Sequence, residues 1–174
     1  VVTGSNGFIG SNLIKSLNNH GLKDIIAVDD HTDPTLKENI VHCEIKDYLG
    51  IDEFLLKVQQ KKFDGINLEA IFHQGACSNT MEWDAEYLYK NNFLYSKELL
   101  NLSKRSDTPL IYASSASVYG SGKVFEESTE NEDPINLYAY SKFKFDQLVR
   151  QELIENNTVI KSSKFFIDFF NVNT

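Results

Sequence analysis

Apolar positions along the chain fall in short runs and helical stripes that alternate. Val1–Thr3 reads as the end of a strand. Phe8–Asn19 follows with Phe8, Ile9, Leu13 and Leu17 at helical spacing and closes near Gly21. The run Ile25-Ile26-Ala27-Val28 is a second strand ending in acid at Asp29. Asn39–Cys43 reads as a weaker third strand, and Ile51–Gln60 as a helix with Phe54, Leu55 and Val58 on one face. Glu69–His73 and Leu110–Ala113 are further strands, separated by a long helix over Asp84–Arg105. Gly120–Pro134 is a polar, acidic loop, and Asn136–Glu155 is a last helix.

Strands that alternate with helices predict βαβ units and a parallel sheet. Right-handed crossovers then give an α/β, doubly wound sheet with strand order 3-2-1-4-5-6. A length of 174 residues suits one domain over 1–174 with a real core. No internal repeat is visible.

Composition narrows the partners. Hydrophobic residues make up 41% and charged residues 24%, an ordinary globular balance. The net charge of −8 repels phosphate backbones, so no nucleic-acid partner is expected. An anionic small molecule in a local pocket is still compatible with it. Cys43 and Cys77 show no metal-ligand or disulfide spacing and read as reduced thiols of a cytoplasmic protein. No apolar run approaches the roughly 20 residues of a membrane span, and no signal peptide is seen, so no membrane partner is expected. Val1-Val2 starts mid-strand, which predicts a few further residues in front.

Candidate chemistry begins at Thr3-Gly4-Ser5-Asn6-Gly7-Phe8-Ile9-Gly10, where glycines fall at 4, 7 and 10. Glycine permits the tight turn after the strand and lets backbone N–H groups approach a pyrophosphate. The helix that follows presents its positive end to the same phosphates, and Gly10 lets helix and strand pack closely. Asp29 stands nineteen residues beyond Gly10, at the end of the next strand. Asp29 and Asp30 are expected to reach the adenosine ribose, where carboxylates repel a 2′-phosphate and favour NAD over NADP. Lys37 lies nearby and offsets that charge. The plainer reading of Asp30 is a helix or turn cap.

Downstream, Tyr138-Ala139-Tyr140-Ser141-Lys142 places Lys142 one helical turn after Tyr138. A tyrosine ordinarily ionises near pH 10, and an adjacent ammonium is expected to lower that. The pair would form a general acid/base able to take a proton from a sugar hydroxyl while hydride leaves for a nicotinamide. Tyr112-Ala113-Ser114-Ser115-Ala116-Ser117 follows a strand, where ligands sit in such sheets. Ser115 is the candidate to hydrogen-bond the reacting oxygen, with Ser114 as the alternative. A serine-rich turn that merely caps backbone is the plainer reading.

Together these three motifs resemble the extended short-chain dehydrogenase/reductases, the NAD-dependent epimerase/dehydratase family that acts on nucleotide sugars. The likeness runs over about positions 1 to 160. Gln74-Gly75-Ala76-Cys77-Ser78, with Thr80, Glu82-Trp83-Asp84, Asn91-Asn92 and Tyr95–Leu100, is similar to the branch that epimerises an ADP-linked heptose. The resemblance implies a Rossmann-type fold with Phe8 and Ile9 against the pyrophosphate. It implies that Gln74, Gly75, Ala76, Cys77 and Ser78 line the cofactor and that Asn91 helps hold it. It implies Tyr138 as proton acceptor, Lys142 as its support on the nicotinamide ribose, and Ser115 on substrate. Asn171 would touch substrate and Val172 the cofactor.

The implied reaction is redox-neutral. Tightly held NADP takes hydride from C6 of an ADP-heptose and returns it to the other face, for lipopolysaccharide core synthesis. A cytoplasmic homo-oligomer is expected. Two features depart from the family, Asp30 where asparagine is usual and the loss of a lysine near Ile51. The family also continues beyond Asn171-Val172 into a substrate domain with a second catalytic lysine, so this chain is expected to be the cofactor half. A nucleotide-sugar 4-epimerase and a cofactor-binding piece without catalysis are the alternatives. A 4,6-dehydratase would need an acidic pair where Ala116 and Ser117 stand.

Overall fold

The computed structural model describes residues 1–30, 36–121, 126–156 and 162–165, without the side chains of 36, 37, 155, 156 and 162–165. The elements are β1 Val2–Thr3, α1 Phe8–Asn19, β2 Ile26–Asp29, a 3₁₀ turn at Leu36–Ile40, β3 Asp47–Gly50 and α2 Ile51–Gln59. Next come β4 Ile71–His73, α3 Ala85–Leu88, a π-helical stretch Tyr89–Leu94, α4 Tyr95–Ser106 and β5 Leu110–Ala113. Two 3₁₀ turns at Ala116–Tyr119 and Thr129–Asn131 precede α5 Leu137–Asn156 and β6 Ser162–Phe165. The strands stand in the order β3-β2-β1-β4-β5-β6, as the alternation predicts. The chain also divides into two compact units, Val1–Ala76 with Glu98–Leu110 and Cys77–Lys97 with Ile111–Thr174.

In the first unit the strands pair in parallel, with Val2 opposite both Ala27 and Phe72, and Ala27 opposite Tyr48. Side chains alternate across a strand, so these positions share one face. That face packs with Ile14, Ile25 and Ile40, and Leu13 and Leu17 of α1 join the same cluster. The alternate positions, Val28 and Leu49, are buried on the opposite face, which α2 covers with Phe54 and Val58. Helices on both faces make the sheet doubly wound. Phe63 closes this side with its ring 5.2 Å from that of Phe54.

The third strand is not where the sequence pattern places it. Asn39–Cys43 begins in a 3₁₀ turn that drops Ile40 into the α1 cluster and leaves Val41 66% exposed. The strand is Asp47–Gly50, in register with Ile26–Asp29. Its signal is weak because only Tyr48 and Leu49 are apolar and α2 starts at the next residue. The predicted helix over Asp84–Arg105 forms as α3, the π stretch and α4 in succession. Strand β6 lies where the sequence pattern gave no element.

The second unit is organised on α5. Its helix packs against α3, the π stretch and the turn at Ala116–Tyr119. Arg150 forks onto both Glu132 carboxylate oxygens at 2.8 Å, and Asp133 N–H donates to the Val118 carbonyl. These contacts fix the segment after β5. Gly120 is required there, since it sits at φ +63° and a Cβ would fall 2.1 Å from the Asp133 carbonyl oxygen. No helix among the described residues is long and apolar enough to cross a membrane.

Candidate functional site

The glycine turn of the first unit is held from three sides. Asn6, fully buried, donates its backbone N–H to Asp29 Oδ2 at 2.7 Å and its amide to the Tyr48 hydroxyl at 2.7 Å. Asn39 donates to the Asn6 carbonyl. Tyr48 in turn donates to the Asp30 carbonyl, and Asp29 Oδ1 accepts the Asp30 N–H. Asp29 therefore anchors the turn through Oδ2 and holds its neighbour Asp30 through Oδ1, and Asp30 is exposed. From the other side Thr3 Oγ1 accepts the Gly75 N–H at 3.1 Å. The same hydroxyl lies 2.7 Å from His73 Nδ1, and the imidazole tautomer sets which of the two donates.

Gly4 and Gly75 meet backbone to backbone. A Cβ on Gly4, at φ +67°, would sit 2.6 Å from the Gly75 nitrogen. A Cβ on Gly10 would sit 2.0 Å from the Gly4 carbonyl oxygen. Helix α1 then begins at Gly7 with no side-chain cap and no acid in its first turn. Its opening N–H groups, from Phe8, Ile9 and Gly10, have no acceptor within the helix. Phe8 is 75% exposed at this end. The Gln74 side-chain oxygen is buried and has no partner among the described residues. A backbone-lined cradle at an uncapped helix start suits a phosphate, and the orphaned Gln74 oxygen, next to Gly75, calls for a donor such as a hydroxyl. Gly75 and Ala76 follow Gln74 in the loop after β4. The side chain of Lys37, and both Asn171 and Val172, lie outside the described residues.

The second unit holds the titratable groups. The Ser115 hydroxyl lies 2.7 Å from Ser117 Oγ. Burial pushes the Tyr138 phenol above its ordinary value, the polar Ser115 side chain opposes that, and a Cys77 charge would add to it. Lys142 is 6% exposed and donates to the Ala113 carbonyl at 3.2 Å. Burial pulls its ammonium down to about 8, while Asp146 and Cys77 hold it up. The sequence expectation that Lys142 lowers Tyr138 is corrected on this point. Burial governs both groups, Nζ is engaged at Ala113, and the side chain favouring a phenolate is Ser115.

Sequence reasoning passed over several residues that build this region. Asn92 is buried in the π stretch. It accepts the Cys77 N–H at 2.8 Å and donates to the Cys77 carbonyl and to Ser141 Oγ, each at 3.0 Å. Asn91, the expected contact, instead donates to the Tyr87 carbonyl of its own helix. Ser78, next to Cys77, is exposed. Ser114 is buried and donates to Asp146 Oδ2 at 2.6 Å, so it serves that carboxylate. The Lys142/Asp146 spacing of four was the available signal for Asp146.

A parallel doubly wound sheet whose first strand runs through a glycine turn into an uncapped helix defines a dinucleotide-binding protein of the Rossmann class. The NAD dependent epimerase/dehydratase family profile matches residues 1–165, and the chain belongs to that family. It is 50% identical over 166 residues, 95% of its length, to an ADP-L-glycero-D-manno-heptose-6-epimerase of Thiobacillus denitrificans. Among solved structures it resembles the Helicobacter pylori ADP-L-glycero-D-manno-heptose-6-epimerase, with 29% identity and TM-score 0.73 over 87% of this chain. A Bacillus cereus UDP-glucuronic acid 4-epimerase, solved with NAD, matches at 26% identity and TM-score 0.75 over 95%. The chain spans 50% of the Thiobacillus relative, 49% of the Helicobacter one and 55% of the Bacillus one.

Proposed function

We propose that the chain is the cofactor half of a nucleotide-sugar epimerase that inverts C6 of an ADP-linked heptose, using a nicotinamide dinucleotide. The observation that carries the reading is the Ser115 hydroxyl acting on the Tyr138 phenol, with Lys142 buried one turn further along α5. Tyr138 takes the proton of the C6 hydroxyl and later gives it back. Ser115 supports the phenolate and is placed to hydrogen-bond the same sugar oxygen. Lys142 supplies a buried cation one helical turn away. When bound, the nicotinamide supplies the hydride acceptor and returns the hydride, so the reaction is redox-neutral. The backbone N–H groups of Phe8 through Gly10 would hold the pyrophosphate, with Phe8 and Ile9 against it. Gln74, Gly75, Ala76, Cys77 and Ser78 would line the cofactor.

The heptose substrate is supported by the 50% identity to the Thiobacillus relative. Lipopolysaccharide core synthesis, a homo-oligomer and a cytoplasmic setting belong to the same reading. Free Cys43 and Cys77 suit a reducing compartment. NADP is the cofactor this reading carries, through Lys37 and the resemblance of the Gly75–Ser78 run. Asp29 and Asp30 favour the second reading, NAD, because two carboxylates repel a 2′-phosphate.

Incubating the full-length protein that contains this half with an ADP-heptose and NADP⁺, and following the C6 proton by NMR, tests the reaction. Inversion is expected, with Tyr138→Phe slowed by roughly 10²–10⁴-fold. Unchanged turnover in that variant removes the assignment of Tyr138. Calorimetric titration with NADP⁺ and NAD⁺ separates the two cofactors, tighter NAD⁺ supporting the carboxylate argument.

A further inference from the structure

Asp146 is the most buried carboxylate among the described residues of the second unit, 1% exposed, one turn beyond Lys142 on α5. Its Oδ1 accepts the Tyr112 hydroxyl at 2.9 Å and its Oδ2 accepts the Ser114 hydroxyl at 2.6 Å. Tyr112 is itself packed edge-on against Phe145, with ring centroids 4.9 Å apart. Two hydroxyls from the end of β5, one on each oxygen, thus fix the carboxylate in place.

The lysine needs such a partner. Burying an ammonium without a counter-charge costs several kcal/mol, and the acceptor of the Lys142 hydrogen bond, the Ala113 carbonyl, is neutral. The groups facing the pair are few. Tyr138 and Arg150 come from α5 itself, and Tyr112 with Ser114 from the end of β5. Cys77 comes from the loop after β4, Glu132 from the loop before α5, and Tyr119 from the 3₁₀ turn. Of these, Asp146 is the foremost group holding the Lys142 ammonium in its charged form. Glu132 is already engaged by Arg150.

We infer that Asp146 is the positioning residue of the proton-transfer site, the fixed counter-ion that keeps Lys142 a cation beside Tyr138. This rests on the reading of Tyr138 and Lys142 given above. Tyr112 and Ser114 are the clamps that hold the counter-ion, so the end of β5 sets the charge state of α5.

The test is a pH titration of the Lys142 side chain in protein labelled with ¹³Cε-lysine, its resonance assigned by Lys142→Arg. In Asp146→Asn, with the fold checked by circular dichroism, the Lys142 midpoint should fall by about one pH unit or more. Asp146→Glu, which keeps the charge, should restore most of it. An unmoved midpoint in folded Asp146→Asn overturns the inference. If that variant does not fold, the ¹³Cγ resonance of Asp146 in the unsubstituted protein decides. It should step at the Lys142 midpoint, and a flat trace there overturns the inference equally. Calorimetry with NADP⁺ and NAD⁺ runs alongside. Absence of dinucleotide binding sinks the functional reading and leaves the midpoint shift intact, while normal binding with an unmoved midpoint sinks only the role of Asp146.

Discussion

Alanine at Gly10 sets two opposing effects against each other at one atom. Gly10 is the third residue of α1, and its backbone is helical. On propensity alone, alanine in a helix interior gains about 1 kcal/mol over glycine. The added methyl, however, would stand 2.0 Å from the Gly4 carbonyl oxygen, 2.7 Å from its carbon and 2.9 Å from Ser5 Cα. All three are backbone atoms, so no side chain can swing aside. Ordinary contact starts near 3.4 Å, so helix and turn must part by about 1.4 Å, the difference from 2.0 Å. Forcing a methyl into a packed site costs typically about 1–3 kcal/mol, and rigid neighbours on every side put Gly10 at the upper end. Subtracting the helix gain leaves a net loss of about 2 kcal/mol, or a fall in Tm of about 4–8 °C for a chain of this size.

Ligand binding should suffer as well. The opening N–H groups of α1 move with the helix, and a shift of that size breaks one charge-assisted hydrogen bond to a phosphate. That is worth about 1.5–3 kcal/mol, roughly 10- to 100-fold in dinucleotide affinity. Thermal melts followed by circular dichroism, and calorimetry with NAD⁺ and NADP⁺, measure the two losses. Gly21→Ala is the control, since a Cβ there meets nothing within 4 Å and only φ +81° is strained. It should cost about 1 kcal/mol and leave affinity unchanged. A Gly10→Ala protein that melts higher than the parent would refute the close-approach argument.

Two further substitutions probe the second unit. Lys142→Met should change how stability depends on pH. Burial lowers the folded-state value of Lys142 from 10.5 to about 8, so between those values the unfolded chain binds more protons and the lysine's burial cost fades as pH rises. The stability difference between Lys142→Met and the parent should therefore shift by about 3 kcal/mol from pH 7.5 to pH 10.5, read by urea unfolding, and a constant difference contradicts the burial. Asn92→Ala removes three hydrogen bonds at once and strands the Cys77 N–H and carbonyl in a half-buried loop. It should cost about 3 kcal/mol in urea unfolding, and a loss below about 0.5 kcal/mol would mean that water replaces the amide.

The strand order was legible because each inner strand is a short apolar run bounded by polar turns, as in Ile25–Val28 and Leu110–Ala113. The edge strand β3 was not, because Asp47-Tyr48-Leu49-Gly50 needs only one buried face and merges into α2 without a loop. The decoy, Asn39–Cys43, is apolar at Ile40 and Val41, but only Ile40 enters the core. Gly4, Gly7 and Gly10 announced the cradle through spacing alone. The groups that hold the cradle did not announce themselves. Asn6, Tyr48 and Thr3 act through partners 23 to 72 residues away, and a polar residue carries no mark of a distant acceptor.

Electrostatics at Tyr138 was the least legible feature, and the reason is general. Helix spacing says that Lys142 lies on the Tyr138 side of α5, and proximity of a cation then suggests a lowered phenol. Spacing says nothing of solvent, and here burial acts on both groups in the direction of their neutral forms. A neutral phenol beside a lysine that titrates near 8 would be a poor base. The arrangement becomes serviceable only when something restores charge. Ser115 acts in that direction at the phenol, and Asp146, clamped by Tyr112 and Ser114, does so at the ammonium. The serines at the end of β5 therefore differ in what they serve, Ser115 the Tyr138 phenol and Ser114 the Asp146 carboxylate. Exchanging their hydroxyls one at a time should separate the two effects. Ser115→Ala should raise the Tyr138 titration and leave Lys142 in place, whereas Ser114→Ala should lower the Lys142 midpoint by loosening Asp146.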